Sequence, residues 1–325
     1  MRGVIMNVGI IGLGQMGKHH LRVLNSFKGN IKTISIFDSD LGLMERLACI
    51  YDVKQHLDID SIIESVDAVI IATPTLTHYK IAKKCLEHNK NIFIEKPMAA
   101  TTKEAEQLVE LLKKKNSICM IGHIERFNPA ILYIREYLIE KEIKHINFKR
   151  ISKFEKDRHF DVNVIIDLMI HDIDVVLSII DAKPAKFFAA TSDRNIDSAQ
   201  AIIQFENDVV ATFNASRSSC EKIRSLSIYT SDEDIIVDFL QYRVDRIKQM
   251  RLVKSFQSCC YNIISENRSF ILDGEPLYIE IKHFLECLKL GVKPISNEFN
   301  GLEALKIAED MVDFINKTKI KKEPL

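Results

Sequence analysis

Apolar residues recur along the first third of the chain in short dense runs. Each run is followed by a longer segment in which apolar and polar positions alternate at helical spacing. The runs at residues 7–11, 31–37, 68–72, 91–94 and 117–121 read as buried strands. The segments at 15–25, 41–50, 78–88 and 103–115 carry apolar residues three and four apart, as the buried face of a helix requires. Strand and helix alternating in this order predict a parallel sheet covered on both faces.

The rhythm changes around residues 122–128. A helix is expected from Pro129, because proline suits a first turn. A strand at 144–151 and a long apolar helix at 163–180 follow. Five strand-like runs come next, at 186–190, 199–205, 209–216, 224–230 and 234–240. No helical segment separates them, so their sheet is expected to be mainly antiparallel. Helices at 276–290 and 301–316 close the chain, and the polar end 317–325 is expected to fray. The expected fold class is α/β: a doubly wound Rossmann domain over 1–122, then an α+β domain with an open sheet over 123–325.

Composition narrows the function without naming it. The chain has 325 residues, more than the ~250–300 at which single cores stop growing, and 46% hydrophobic residues suffice for two cores. A net charge of zero argues against a protein built to hold nucleic acid. No uninterrupted run of ~18 apolar residues appears, so no membrane span is expected. The apolar N-terminal stretch belongs to the first strand rather than to a secretory leader, and Met1 and Met6 both stay open as the start. The seven cysteines are scattered, odd in number and without CxxC spacing. They are expected to be reduced thiols in a cytoplasmic protein, and no spacing suggests a metal site.

The chemistry begins at Gly12-Leu13-Gly14-Gln15-Met16-Gly17. This GxGxxG run follows a strand and opens a helix, the context in which it binds a dinucleotide. Gly12 makes the tight turn, Gly14 admits the pyrophosphate, and Gly17 lets helix and strand touch. The backbone of Gln15 and Met16 lies in the first helical turn, where free N–H groups face phosphate. Asp38 ends the second strand, 21 residues beyond Gly17. A carboxylate there accepts from ribose hydroxyls and repels a 2′-phosphate, so NAD is expected rather than NADP.

Asp167, His171 and Asp174 stand at i, i+4 and i+7 in the apolar segment 163–180, so one helix face is expected to carry all three. Such a stripe is costly in apolar surroundings unless paired or used. Lys96 follows the strand at 91–94, at the carboxyl edge where open α/β sheets bind ligands.

Four features together resemble the glucose–fructose oxidoreductase, inositol dehydrogenase and MocA-like family: Gly12–Gly17, Ala72-Thr73-Pro74 with His78, Glu95-Lys96-Pro97, and the run from Asp167 to Asp174. The resemblance spans nearly the whole chain and implies NAD(P)-linked oxidation or reduction of sugars and polyols. It assigns catalysis to Lys96, Asp167 and His171. His171 is expected to take the hydroxyl proton, Lys96 to stabilise the alkoxide and Asp167 to orient His171. Exchanging the Lys96 and His171 roles fits the sequence equally. Thr73, Pro74, His78 and Glu95 are expected to line the cofactor, whereas His19 and His20 read as packing or surface residues.

The stretch Gly122-His123-Ile124-Glu125-Arg126-Phe127-Asn128-Pro129-Ala130 is similar to the branch that holds UDP-N-acetylglucosamine 3-dehydrogenases. That implies oxidation at C3 of the nucleotide sugar, with Arg126, Asn128 and Arg158 on the substrate. Glu125–Arg126 as a structural ion pair and Arg158 as a loop residue are the plain alternatives. An inositol or free-sugar dehydrogenase of the same family stays open. So does a non-catalytic NAD-sensing scaffold, whose mark would be a broken Lys/Asp/His set. The open sheet leaves a face to cover, so a homo-oligomer, dimer or tetramer, is expected.

Overall fold

A computed structural model of the chain describes residues 6–153, 162–254 and 261–320. These described residues form two compact units, one falling within 1–127 and 275–306 and the other within 128–274 and 307–325.

The first unit holds a six-stranded parallel sheet of order β3-β2-β1-β4-β5-β6, the doubly wound arrangement. Its strands are β1 (Met6–Ile11), β2 (Ile31–Phe37), β3 (Lys54–Gln55), β4 (Ala68–Ile71), β5 (Asn91–Glu95) and β6 (Cys119–Gly122). Helices α1 (Gln15–Ser26), α2 (Leu41–Tyr51), α3 (Ile59–Ser65), α4 (Thr75–Glu87) and α5 (Thr102–Leu112) join them. All four residues of β4 are buried, which explains why its sequence is a plain apolar run. Helix starts follow local chemistry: the side chains of Asp40, Asp58 and Thr101 accept from Leu43, Ser61 and Glu104 amides at the N-termini of α2, α3 and α5. The sequence pattern did not anticipate β3 or the seven-residue α3.

The expected boundary at 122/123 is corrected in two ways. The 3-10 turn Ile124–Phe127 stays with the first unit, and the chain returns to that unit at Glu275. The cause is the apolar face of α8 (Pro276–Leu290). Leu277, Ile281 and Phe284 join the same buried cluster as Leu21 and Leu24 of α1 and Phe93 of β5. Phe27 stacks on Tyr278 at 4.7 Å, and Arg22 pairs with Glu275. Helix α9 (Glu298–Ile320) has its residues up to Lys306 in this unit and the rest in the second.

The second unit contains α6 (Pro129–Tyr137), α7 (Ile170–Ile179) and an eight-stranded sheet of order β14-β13-β12-β11-β7-β10-β9-β8. The strands are β7 (Ile143–Lys153), β8 (Pro184–Thr191), β9 (Ser198–Phe205), β10 (Val210–Ser219), β11 (Ile223–Thr230), β12 (Glu233–Asp238), β13 (Arg243–Lys254) and β14 (Tyr261–Ile271). Every pair is antiparallel except β7 with β10. The hairpin β13–β14 was not foreseen. A register shift between Gln249 and Arg251 breaks its alternation, which is the signal a strand reading uses. One sheet face is a buried row, Ala201, Phe213, Phe148, Leu226 and Val237, in successive register. The opposite row carries Ile202, Thr212, Asn147, Ser227 and Ile236.

The long helix expected at 163–180 is two elements. Ile165–Met169 is a π-helical turn that runs into α7. Asn163 starts it, its Oδ1 accepting from the Ile165 and Ile166 amides. Among the described residues no helix is long and apolar enough to cross a membrane.

Arg150 of β7 ties α7 to the sheet. Its Nε and one terminal nitrogen donate to Asp172 Oδ1 at 2.9 and 2.6 Å, and both residues are buried. Breaking a buried pair from one side typically costs about 3–5 kcal/mol. Arg150→Met is expected to lose about that much in urea unfolding, and Arg150→Met with Asp172→Leu to recover most of it. Equal losses in the single and double variants would contradict the pairing.

Candidate active site

At the end of β1 the backbone has almost no room. Gly12 adopts φ +93°, and a Cβ there would lie 2.7 Å from the Ala72 carbonyl oxygen. A Cβ on Gly17 would stand 1.9 Å from the Gly12 carbonyl oxygen, so α1 can meet β1 only through glycine. Gly14 differs: nothing lies within 4 Å of the place its Cβ would occupy. It is also the N-cap of α1, with no side-chain cap on the helix. The result is an open cradle beside the first-turn amides of Gln15 and Met16, which suits a pyrophosphate. Asp38, at the end of β2, takes the Leu13 amide on Oδ2 at 2.5 Å and the Asp40 amide on Oδ1 at 2.8 Å. A carboxylate has about four acceptor positions, so capacity remains for a ribose diol. The residues present therefore fit a dinucleotide.

At and beyond the carboxyl ends of β4 and β5, Thr73, His78, Glu95 and Lys96 form a second group. His78, expected to line the cofactor, is buried instead. Its Nδ1 lies 2.8 Å from the Pro97 carbonyl oxygen and its Nε2 2.8 Å from that of Thr73. It thus braces the β4 and β5 loops against each other. Burial pushes the ring below its ordinary pKa, outweighing the two carbonyls that raise it. Pro74 is exposed at the N-terminus of α4, and the Thr73 hydroxyl accepts from that of Thr77. Lys96 is half-buried and its bond to Pro97 is cis.

Glu95 is a buried backing residue rather than an exposed ligand. Its Oε1 accepts from His20 Nε2 at 2.6 Å, and its Oε2 faces the Lys96 amide at 3.3 Å. Burial is the largest influence and pushes this carboxyl up, but the hydrogen bond from His20 and the attraction of His20, Lys96 and His78 together outweigh it and hold the carboxyl below its usual range. His20, read as packing or surface, is buried and packs on Phe93 but also holds Glu95, which that reading left out, whereas His19 is exposed. The signal was present: His20 lies three residues beyond Gly17, on the inner stripe with Leu21 and Leu24.

In the second unit, Asp167 lies in the π turn and His171 in the first turn of α7, both half-buried. Asp174 is fully buried, so the expected stripe of three separates into two accessible groups and one interior one. A residue that sequence reasoning missed stands beside Asp167: an Arg217 terminal nitrogen of β10 is 3.7 Å from Asp167 Oδ2. The same guanidinium is fixed by Asp197 at 2.7 Å and by the Val162 carbonyl at 2.8 Å. Only the fold brings β10 to this turn, so spacing held no clue.

Two expected substrate residues are engaged in structure. Asn128 Oδ1 caps α6 by accepting from Ala130, and its Nδ2 donates to the Phe239 carbonyl. Arg126 is buried, with one terminal nitrogen donating to the Ile295 carbonyl at 2.7 Å. Arg158 lies outside the described residues. Among the described residues no group of three or more His, Cys, Asp or Glu side chains is arranged to hold a metal.

Known proteins are similar to this chain in sequence and fold. A profile described as an oxidoreductase family with an NAD-binding Rossmann fold matches residues 6–123, and a GFO/IDH/MocA C-terminal domain profile matches residues 142–236. UDP-N-acetylglucosamine 3-dehydrogenase of Acidithiobacillus ferrooxidans is 33% identical over 239 residues, covering 72% of this chain and 74% of that one. Its solved structure superposes with a TM-score of 0.86 at 26% identity, over 96% of this chain and 98% of that one. The scyllo-inositol 2-dehydrogenase (NAD(+)) of Bacillus subtilis is 27% identical over 321 residues, 92% of this chain and 90% of that one. A levoglucosan dehydrogenase complex with NADH and levoglucosan shares the fold, with a TM-score of 0.82 at 20% identity over 97% and 98% of the two chains.

Two expectations follow for the nucleotide end. Gly14→Ala should leave the thermal midpoint near its original value yet weaken NADH binding about tenfold or more, whereas Gly17→Ala should unfold or strongly destabilise the first unit. Similar behaviour of the two variants in fluorescence titration and melting would refute the geometry. NAD should bind more tightly than NADP, and Asp38→Ser should narrow the gap; tighter NADP binding by the unaltered protein would contradict the role given to Asp38.

Proposed function

The chain belongs to the GFO/IDH/MocA oxidoreductase family and binds NAD through its Rossmann domain, and from that premise we propose that it oxidises a sugar hydroxyl to a ketone, at C3 of UDP-N-acetylglucosamine. The carrying observation is the similarity to the nucleotide-sugar enzyme over most of the chain, joined to an intact Lys96, Asp167 and His171 set. A scaffold that only sensed NAD would have no need to keep all three.

Bound NAD supplies the acceptor for the hydride that leaves the carbinol carbon. In this reading His171 takes the hydroxyl proton as general base. Lys96 donates a hydrogen bond to the same oxygen and stabilises its developing negative charge. Asp167 orients the His171 ring. The products are the ketone, NADH and one proton. Arg158 is assigned to the diphosphate, because a guanidinium matches phosphate oxygens in pairs. Arg126 and Asn128 contribute by fixing the turn at 124–128, in keeping with their buried bonds. A ketone at C3 is a substrate for an aminotransferase.

A second reading, an inositol or free-sugar dehydrogenase, is favoured by the similarity to the inositol enzyme over 92% of the chain. We also infer self-association through the outer sheet face. Ile202 and Ile236 there are 45% and 38% exposed, and Phe188 of β8 is 53% exposed, which gives a second copy apolar side chains to cover.

Incubation with NAD and a panel of UDP-sugars, free sugars and inositols is expected to give NADH with UDP-N-acetylglucosamine, aided by a ketone trap. Turnover with an uncharged sugar or inositol alone would replace this substrate with the second reading. Lys96→Met and His171→Asn should each lower kcat by ~10²–10⁴-fold with NADH affinity retained, and Asp167→Asn should fall between these variants and the original enzyme. Near-normal single-turnover rates in both would place the chemistry elsewhere.

A further inference from the structure

Strand β5 is apolar and fully buried from Ile92 to Ile94, and its last residue, Glu95, introduces a carboxylate into the interior. The sheet makes room for it. Glu95 is in register with Gly122 of β6, and a Cβ on Gly122 would stand 3.1 Å from Glu95 Oε2. On the other side His20 of α1 is fully buried, its ring edge-on to Phe93 at 5.1 Å, and its Nε2 donates to Oε1 at 2.6 Å. The Lys96 amide faces Oε2 at 3.3 Å.

An apolar pair of similar volume would fill this space at no loss of stability, since buried ion pairs commonly do no better than hydrophobic ones. What an apolar pair lacks is direction. The carboxylate meets a donor from α1 on one oxygen and faces the peptide that carries Lys96 on the other. His78, from α4, meets the Pro97 carbonyl on the far side of the same residue. Lys96 therefore springs from a main chain whose place is set by the helix that cradles the cofactor.

We propose that His20, acting through Glu95, is a positioning residue that holds Lys96 in register with the cofactor helix. The proposal rests on the role given to Lys96 under the proposed function. His20 itself touches no substrate, so its removal acts on the chemical step by misplacing the Lys96 ammonium. Displacements of about 1 Å in a reacting group can cost ~10²-fold in rate.

A double-mutant cycle tests this. His20→Phe is expected to lower kcat about tenfold to a hundredfold, with NADH affinity and sugar KM within about threefold of the original values. His20→Gln, whose amide N–H can reach Oε1, should restore most of the rate. In the Lys96→Met background His20→Phe should cost less than about twofold, because the group it positions is gone. If His20→Phe does not fold, Glu95→Gln takes its place in the cycle: an amide offers one acceptor oxygen where the carboxylate offers two, so it cannot accept from both His20 and the Lys96 amide. An unchanged kcat in the folded variant would overturn the proposal, and so would an equal loss in both backgrounds. Normal turnover by Lys96→Met itself would overturn the role of Lys96, and this proposal with it.

Discussion

Helix α1 approaches strand β1 so closely that one methyl group on Gly17 would collide with the Gly12 carbonyl oxygen at 1.9 Å. The chemistry of the first unit depends on that contact. It brings the uncapped end of α1 over the carboxyl edge of the sheet, where backbone amides can meet an anion. It sets the turn whose Leu13 amide reaches Asp38 and whose Gly12 amide donates to Phe37. One turn further along the helix it places His20 on the inner face, within reach of Glu95. A bulkier residue at position 17 would displace all of these together.

The two units solve the same problem with different partners. Each must carry polar groups on elements whose other faces are apolar. The first pairs Glu95 with His20. The second pairs Asp172 with Arg150 and lodges Arg217 among Asp167, Asp197 and the Val162 carbonyl. Such pairs add little net stability, but they fix orientation in a way that interchangeable hydrophobic contacts do not. Asp172 is the neighbour of His171, so the Arg150 bond also determines how far α7 is rotated. The π turn at Ile165–Met169 adds a wide turn just where Asp167 stands, a distortion often found at functional positions.

Local patterns were legible in the chain, and pairings across the fold were not. The parallel sheet, the glycine turn and Asp38 could be read because a strand, three glycines and an acid recur at spacings set by one short stretch of backbone. The place of Lys96 just after the strand and the burial of β4 were equally local. The return of α8 to the first unit was hidden, because an amphipathic helix shows that it has a buried face without showing which partner covers it. Arg217 was hidden for a related reason: it sits 50 residues from Asp167, and only the pairing of β10 with β7 brings it near. His78 and Glu95, expected on the cofactor, and Asn128, expected on the substrate, have side chains engaged in buried hydrogen bonds. A motif marks a position the fold needs, and the contacts decide whether the side chain faces a ligand or supports one that does.

The central proposal is that the hydrogen at C3 of UDP-N-acetylglucosamine passes directly to the dinucleotide. UDP-N-acetylglucosamine deuterated at C3, incubated with NAD and the purified protein, tests it by mass spectrometry of the cofactor. The account predicts NADH carrying one deuterium. Unlabelled NADH, or no NADH with this sugar in the presence of a ketone trap, would contradict it.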